Sequence, residues 1–145
     1  MFSFNRYLMT AAAVFAAAAI EVAAFSAQAG KTVWDGVYSD GQSTRGQDLS
    51  KASCVTCHGN ELAGSDLAPA LQGDDFKGVW TGRSAAELFD KIQTTMPADN
   101  VGTLKPPQSA DLVAYILKLN GYPSGAAELA PEMAALQQIK ITSNK

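Results

Sequence analysis

The 145-residue sequence predicts an all-α fold, and three observations support that prediction. Two segments open with a serine that is followed three residues later by Gln or Glu, a pattern that begins many helices. A third segment starts with two consecutive prolines, and proline suits the first turn of a helix. No segment shows the sustained alternation of apolar and polar residues that is typical of a half-buried strand.

The first predicted helix begins at Ser39, in the capping pattern Ser-x-x-Gln that ends at Gln42, and runs towards Cys54. Gly46 lies inside this helix, where glycine is less favourable than alanine by about 1 kcal/mol. We therefore expect another element to pack closely at this point, with Tyr115 lying across it. The alternative is that Gly46 is tolerated in the helix without any close packing against it.

Two further helices are predicted. The second begins at Ser84, which is followed by Glu87 in the pattern Ser-x-x-Glu. The third begins near Pro106–Pro107 and ends at Gly121. Lys105 stands where a Ser or Thr cap is usual, which leaves the start of the third helix open. The apolar positions of these two helices are Leu88, Phe89 and Ile92, and Leu112, Val113, Tyr115, Ile116 and Leu119.

Residues 1–29 are expected to form a signal peptide. They hold 22 hydrophobic residues, and Ala27-Gln28-Ala29 is the small-x-small pattern that a signal peptidase accepts. Glu21 interrupts the apolar run after about 14 residues, which is too short to span a bilayer as a helix. Cleavage before Gly30 would give an exported, periplasmic chain with no later membrane span; an uncleaved anchor is the alternative.

The most specific pattern is Cys54-Val55-Thr56-Cys57-His58, the C-x-x-C-H signature of c-type haem attachment. Thiols three residues apart on one helical turn face the same edge of the porphyrin, where they can add to its two vinyl groups. The next residue, His58, places an imidazole beneath the iron. We therefore predict one haem c, bound covalently through Cys54 and Cys57.

Three other interpretations of this cluster fit the sequence less well than haem attachment does. A zinc site needs four ligands, whereas the whole chain has only two Cys and one His. A thioredoxin-like redox pair needs a strand–helix setting that the sequence does not show. A disulfide would close a very small loop and stabilise little.

The second axial ligand of the iron cannot be another histidine within one chain, because His58 is the only one. It is Met, a weaker ligand such as Lys, or nothing. Beyond residue 29 the methionines are Met96 and Met133. Pro97 favours extended geometry in the residue before it, which suits a ligand loop, whereas Met133 is interpreted as an apolar filler. Met96 is the predicted ligand; a loop methionine that caps the core is the alternative.

The composition of residues 30–145 bears on two questions, whether the chain binds nucleic acid and whether its side chains alone can form a core. Residues 30–145 carry 10 basic and 13 acidic side chains, a balance that makes nucleic acid a poor partner. Only 23 of these 116 residues are Leu, Ile, Val or Phe, which is marginal for a core made of side chains alone. A large apolar macrocycle would replace the missing side chains.

A known family shares several of these features: Cys54-x-x-Cys57-His58, Pro69, Met96-Pro97 and the Gly46/Tyr115 pair. Over about residues 39–121 the chain resembles a monohaem class I cytochrome c. This resemblance implies a cytochrome c fold, with three main helices around one covalently attached haem. It also implies that the Pro69 carbonyl accepts a hydrogen bond from the ring N–H of His58.

The resemblance extends to residues outside the haem motif. It implies that Trp80 and Arg83 hydrogen-bond the haem propionates; a core Trp and a solvated Arg are the alternative. We expect an arm at 30–38 before the domain, and a tail at 122–145 that packs on the domain or on a partner. A resemblance to small periplasmic cytochromes that accompany quinoprotein or sulfur-compound dehydrogenases is carried by two flanking segments, Val33-Trp34-Asp35-Gly36-Val37-Tyr38 and Asn120-Gly121-Tyr122-Pro123-Ser124-Gly125.

The ligand set predicts an electron-transfer protein and not an enzyme, because iron bound by His and Met has no open position for a substrate. The expected donor is a periplasmic dehydrogenase, and the expected acceptor is an oxidase or reductase. One alternative is a haem c subunit that works only within a dehydrogenase complex. The other is a haem enzyme or gas sensor with an open sixth position.

Overall fold

The computed structural model describes residues 30–144, and these are mostly helical. The predicted signal peptide lies outside the described residues. The all-α prediction is confirmed, and three of the helices were predicted from sequence. The helices are α1 (Asp40–Ser53), α2 (Val55–His58), α3 (Gly73–Trp80), α4 (Ala85–Thr95), α5 (Pro106–Leu119) and α6 (Met133–Gln137). Two short strands, β1 (Lys31–Thr32) and β2 (Ile139–Lys140), pair in parallel and were not predicted.

α1 and α5 pack against each other at Gly46. A Cβ atom added to Gly46 would lie 1.9 Å from the backbone oxygen of Asp111 and 2.9 Å from the Cβ atom of Tyr115. The predicted close approach of Tyr115 is therefore confirmed, and the Asp111 carbonyl comes closer still. Arg45 on α1 also bonds to Asp111 on α5: its Nε and Nη2 atoms each donate to the Asp111 carboxylate at 3.0 Å.

The caps of α4 and α5 explain why these helices begin where the sequence predicts. At α4, Ser84 Oγ accepts from the backbone N–H of Glu87 at 3.3 Å, and Glu87 Oε2 accepts from the backbone N–H of Ser84 at 2.8 Å. The latter bond lowers the pKa of Glu87. At α5, the backbone N–H of Lys105 donates to Gln108 Oε1 at 2.9 Å. The glutamine thus caps α5 without a Ser or Thr at the first position.

The start of α1 differs from the predicted capping box. Ser39 Oγ accepts from the backbone N–H of Gln42 at 3.1 Å, as the pattern predicts. The Gln42 side chain is buried and bonds elsewhere: Nε2 donates to Leu129 O at 2.9 Å, and Oε1 accepts from Leu129 N at 2.7 Å. The prediction that the Gln42 side chain completes the cap was wrong. The buried backbone N–H and C=O groups of Leu129 both need a hydrogen-bond partner, and the Gln42 side chain supplies both bonds.

The segment after α5 runs along the outside of the domain and returns to the arm before α1. Tyr38 Oη donates to Tyr122 O at 2.5 Å, and the backbone N–H of Gly125 donates to Tyr38 O at 2.7 Å. Further on, the backbone N–H of Ile141 donates to Arg83 O at 2.9 Å. Within the described chain, the tail thus contacts both the arm and the domain. Its buried apolar side chains are Leu129, Leu136, Ile139 and Ile141.

Within residues 30–144, none of the helices has the length and apolar character needed to cross a bilayer.

Candidate functional site

The C-x-x-C-H motif occupies a single helical turn. α1 ends at Ser53, Cys54 leaves helical geometry with ψ −38° at φ −120°, and α2 then covers Val55–His58. The backbone N–H groups of Cys57 and His58 both donate to Cys54 O, at 3.1 and 2.9 Å. These bonds fix the spacing of the two sulfur-bearing residues and of the imidazole that follows them.

Both cysteines are free thiols in different surroundings. Cys54 is half-buried and packs against the core, whereas Cys57 is exposed. Burial, with a smaller contribution from Cys57, raises the pKa of the Cys54 thiol to about 11. One cysteine thus packs against the interior, while the other lies at the surface.

His58 is buried, with 8% of its surface exposed, and its Nδ1 atom is hydrogen-bonded. Nδ1 lies 2.7 Å from the carbonyl oxygen of Pro69. Because a carbonyl only accepts, Nδ1 carries the proton, and in this neutral tautomer Nε2 holds the lone pair. Nε2 has no hydrogen-bond partner among residues 30–144, so it is available as a metal ligand.

The loop between the motif and Pro69 is folded back on the motif. The backbone N–H of Gly64 donates to His58 O at 2.7 Å, and Ser65 Oγ donates to Cys57 O. A Cβ atom on Gly59, which has φ +76°, would lie 2.4 Å from Gly64 O. Glycine at this position therefore allows the loop to bring Pro69 against the imidazole.

Met96 is the first residue after α4, and its backbone is extended with φ −121° and ψ 152°. This geometry is the one predicted from the proline that follows. The Met96 side chain is half-buried and packs against the same core as Cys54. Met133 is 43% exposed on α6. The prediction that Met133 fills the core was wrong because α6 buries only Leu136.

Trp80 and Arg83 lie next to each other, at and just after the end of α3. The Trp80 ring is half-buried and stacks on Phe76, with ring centroids 6.2 Å apart. The Arg83 guanidinium lies over the Trp80 ring, 5.4 Å from its centroid, and its Nη1 atom lies 3.8 Å from Glu87 Oε1. Half of the Arg83 side chain is exposed. Their binding to haem propionates stays a prediction.

Gln93 was missed by the sequence analysis. It lies on α4, one turn before Met96, and its Nε2 atom donates to the backbone oxygen of Leu104 at 2.8 Å. A single glutamine in an amphipathic helix has the pattern of an ordinary solvent-facing residue. Nothing in the sequence distinguishes it from its exposed neighbours.

The residues present fit a haem c. The pair of free thiols, the available Nε2 of His58 and the Met96 thioether are nitrogen and sulfur groups of the kinds that hold haem iron in c-type cytochromes. Several half-buried apolar side chains also pack against the core from different elements, and an apolar macrocycle would complete their burial. These side chains are Cys54, Val55, Leu71, Trp80 and Met96.

Comparison with known proteins identifies the family. The solved structure of the sulfane dehydrogenase SoxCD from Paracoccus pantotrophus is similar at 23% identity and a TM-score of 0.45, over 61% of this chain. The present chain spans about half of that chain, 53% of its length. No curated protein matches significantly. The family model for cytochrome C oxidase, cbb3-type, subunit III matches residues 41–116, more than half of the chain. The chain therefore belongs to this family and is a c-type cytochrome.

Proposed function

We propose that this cytochrome is a one-electron carrier with a single haem c, attached through Cys54 and Cys57 and ligated by His58 and Met96. One observation carries the proposal: buried His58 donates from Nδ1 to Pro69 O at 2.7 Å and leaves Nε2 available, on the same turn as two free thiols. When bound, haem supplies an iron that alternates between Fe(III) and Fe(II).

The two proposed ligands have different tasks. The Pro69 carbonyl fixes the tautomer and orientation of His58 and makes its free nitrogen more basic. The Met96 thioether would favour Fe(II) and so raise the reduction potential. With His58 and Met96 both holding the iron, no position would remain for a substrate, so the chain would act as a carrier and not as an enzyme.

The proposed route for electrons is the surface around exposed Cys57. Cys57 is exposed whereas Cys54, three residues before it, is half-buried, so the Cys57 end of the attachment edge lies nearer to solvent. We infer that the donor is a periplasmic dehydrogenase and the acceptor an oxidase or reductase. An interface for such transient exchange is small. Export to the periplasm is inferred from residues 1–29.

Carbon monoxide binding to the ferrous protein tests whether the sixth position is filled. We expect slow binding in the parent, because Met96 must leave before carbon monoxide can bind. Met96→Ala should bind about a hundredfold faster if the methionine-free form is roughly 1% populated in the parent. Met133→Ala is the matched control and should behave as the parent, since Met133 is exposed on α6. The measurement is flash photolysis or stopped-flow absorbance.

Fast binding in the parent would contradict the carrier proposal and favour a haem enzyme or gas sensor. Reversible reduction and reoxidation of the isolated chain tests the other alternative, a subunit of a dehydrogenase complex. If the isolated chain cannot be reduced and reoxidised reversibly, it is a subunit that functions only within a dehydrogenase complex.

A further inference from the structure

The loop that begins at Met96 is closed at both ends against α4. At its start, the backbone N–H of Met96 donates to Ile92 O at 3.0 Å, which continues the helix. At its end, Leu104 O accepts from Gln93 Nε2 at 2.8 Å. Leu104 is buried, with 7% of its surface exposed. One side chain on the helix thus fixes the far end of the loop.

Residues 97–104 have few other hydrogen bonds. The backbone N–H of Asn100 donates to Pro97 O at 3.0 Å, and Thr103 Oγ1 donates to Asn100 O at 2.8 Å, but both bonds are internal to the loop. In the described chain, the bond from Gln93 is the only hydrogen bond that links residues 97–104 to the rest of the protein. Its loss would leave the loop held by apolar contacts alone.

The other polar atom of the Gln93 side chain has the opposite effect on stability. Oε1 is buried and has no donor among residues 30–144. A buried acceptor without a donor is unfavourable, so an apolar residue would remove that penalty while losing the bond to Leu104. The two effects oppose each other in the free energy of unfolding. Of the two atoms, only Nε2 bonds to the loop, so the contact between Gln93 and the loop depends on that bond.

We propose that Gln93 is a positioning residue that keeps Met96 on the haem iron by anchoring the far end of its loop. The inference rests on the proposed His58/Met96 ligation. Closed and open loops are in equilibrium, and Met96 is a ligand in the closed state. Removal of a bond made only in the closed state raises the open fraction, and an external ligand then competes more successfully for the sixth position.

Imidazole binding to the ferric holoprotein tests this role. Gln93→Leu is expected to bind imidazole about tenfold more tightly than the parent, the factor that corresponds to the loss of one buried hydrogen bond from the closed state. Gln72→Leu is the matched control. Its Nε2 atom donates to the backbone oxygen of Glu61 at 3.0 Å, which is the same type of bond over the same sequence separation in another loop. This variant should keep the parent affinity.

A double variant separates positioning from a general structural effect. In a Met96→Ala background, Gln93→Leu should not change imidazole affinity further, because Gln93 acts through Met96. Thermal unfolding of Gln93→Leu should remain close to that of the parent. The inference is overturned if Gln93→Leu binds imidazole as the parent does, or if it raises affinity equally in the Met96→Ala background. A parent that binds as tightly as Met96→Ala would overturn the proposed ligation itself, and the inference with it.

Discussion

Replacement of both Cys54 and Cys57 by alanine is expected to give a chain that cannot attach haem covalently and that, without haem, is largely unfolded. Only about a fifth of residues 30–145 are Leu, Ile, Val or Phe, and several side chains around the site are just half-buried. Without the macrocycle these surfaces stay in water, so the apolar burial that offsets chain entropy is too small. Far-UV circular dichroism should show loss of most of the helical signal.

Thr56→Ala is the matched control for the double cysteine variant. Thr56 lies between the two cysteines and is exposed, and it is not one of the residues that define the motif. This variant should keep both the haem absorbance and the helical spectrum. A helical, cooperatively unfolding Cys54→Ala/Cys57→Ala protein without haem would show instead that the side chains alone build the core.

Gly46→Val is expected to destabilise the holoprotein by about 3 kcal/mol or more. The added Cβ would lie 1.9 Å from the Asp111 carbonyl, which is backbone inside α5 and cannot rotate away. Relief requires α1 and α5 to separate, and that separation opens the main helix–helix contact of the fold. The midpoint of thermal unfolding, followed by circular dichroism, should fall by at least about 10 °C.

Gly41→Ala provides the comparison within the same helix. A Cβ on Gly41 would meet only Ser39 Oγ, at 3.9 Å, so there is no clash. Because alanine is the better helix former, Gly41→Ala should be as stable as the parent or slightly more so. A Gly46→Val protein that unfolds at the parent temperature would contradict the packing described for Gly46.

The sequence predicts features whose cause is local. The Ser84 and Glu87 caps and the proline start of α5 depend on residues within one turn, and each was found where the pattern places it. The same local pattern at Ser39 predicted that the Gln42 side chain caps the start of α1. The Gln42 side chain instead bonds to Leu129, 87 residues away. The Gln42 side chain could bond either to the start of α1 or to a distant segment, and the packing of the tail places Leu129 within its reach.

The candidate haem site also combines local and distant contributions. C-x-x-C-H is contiguous, so the sequence alone predicts the residues that would attach a haem. Pro69 was expected only through the family resemblance, because no pattern shows that residues 59–69 fold back on His58. Gln93 had no indication at all, since its role depends on where Leu104 comes to lie at the end of a loop. Local sequence patterns do not predict contacts between residues that are brought together only when the chain folds back on itself.

The reduction potential of Met96→Ala, measured by spectroscopic redox titration beside the parent and Met133→Ala, tests the His58/Met96 assignment most directly. Loss of the thioether removes a ligand that favours Fe(II), so the potential of Met96→Ala should fall by on the order of 100 mV or more. Met133→Ala should titrate as the parent. A Met96→Ala protein with the parent potential would contradict the assignment of Met96 as the iron ligand.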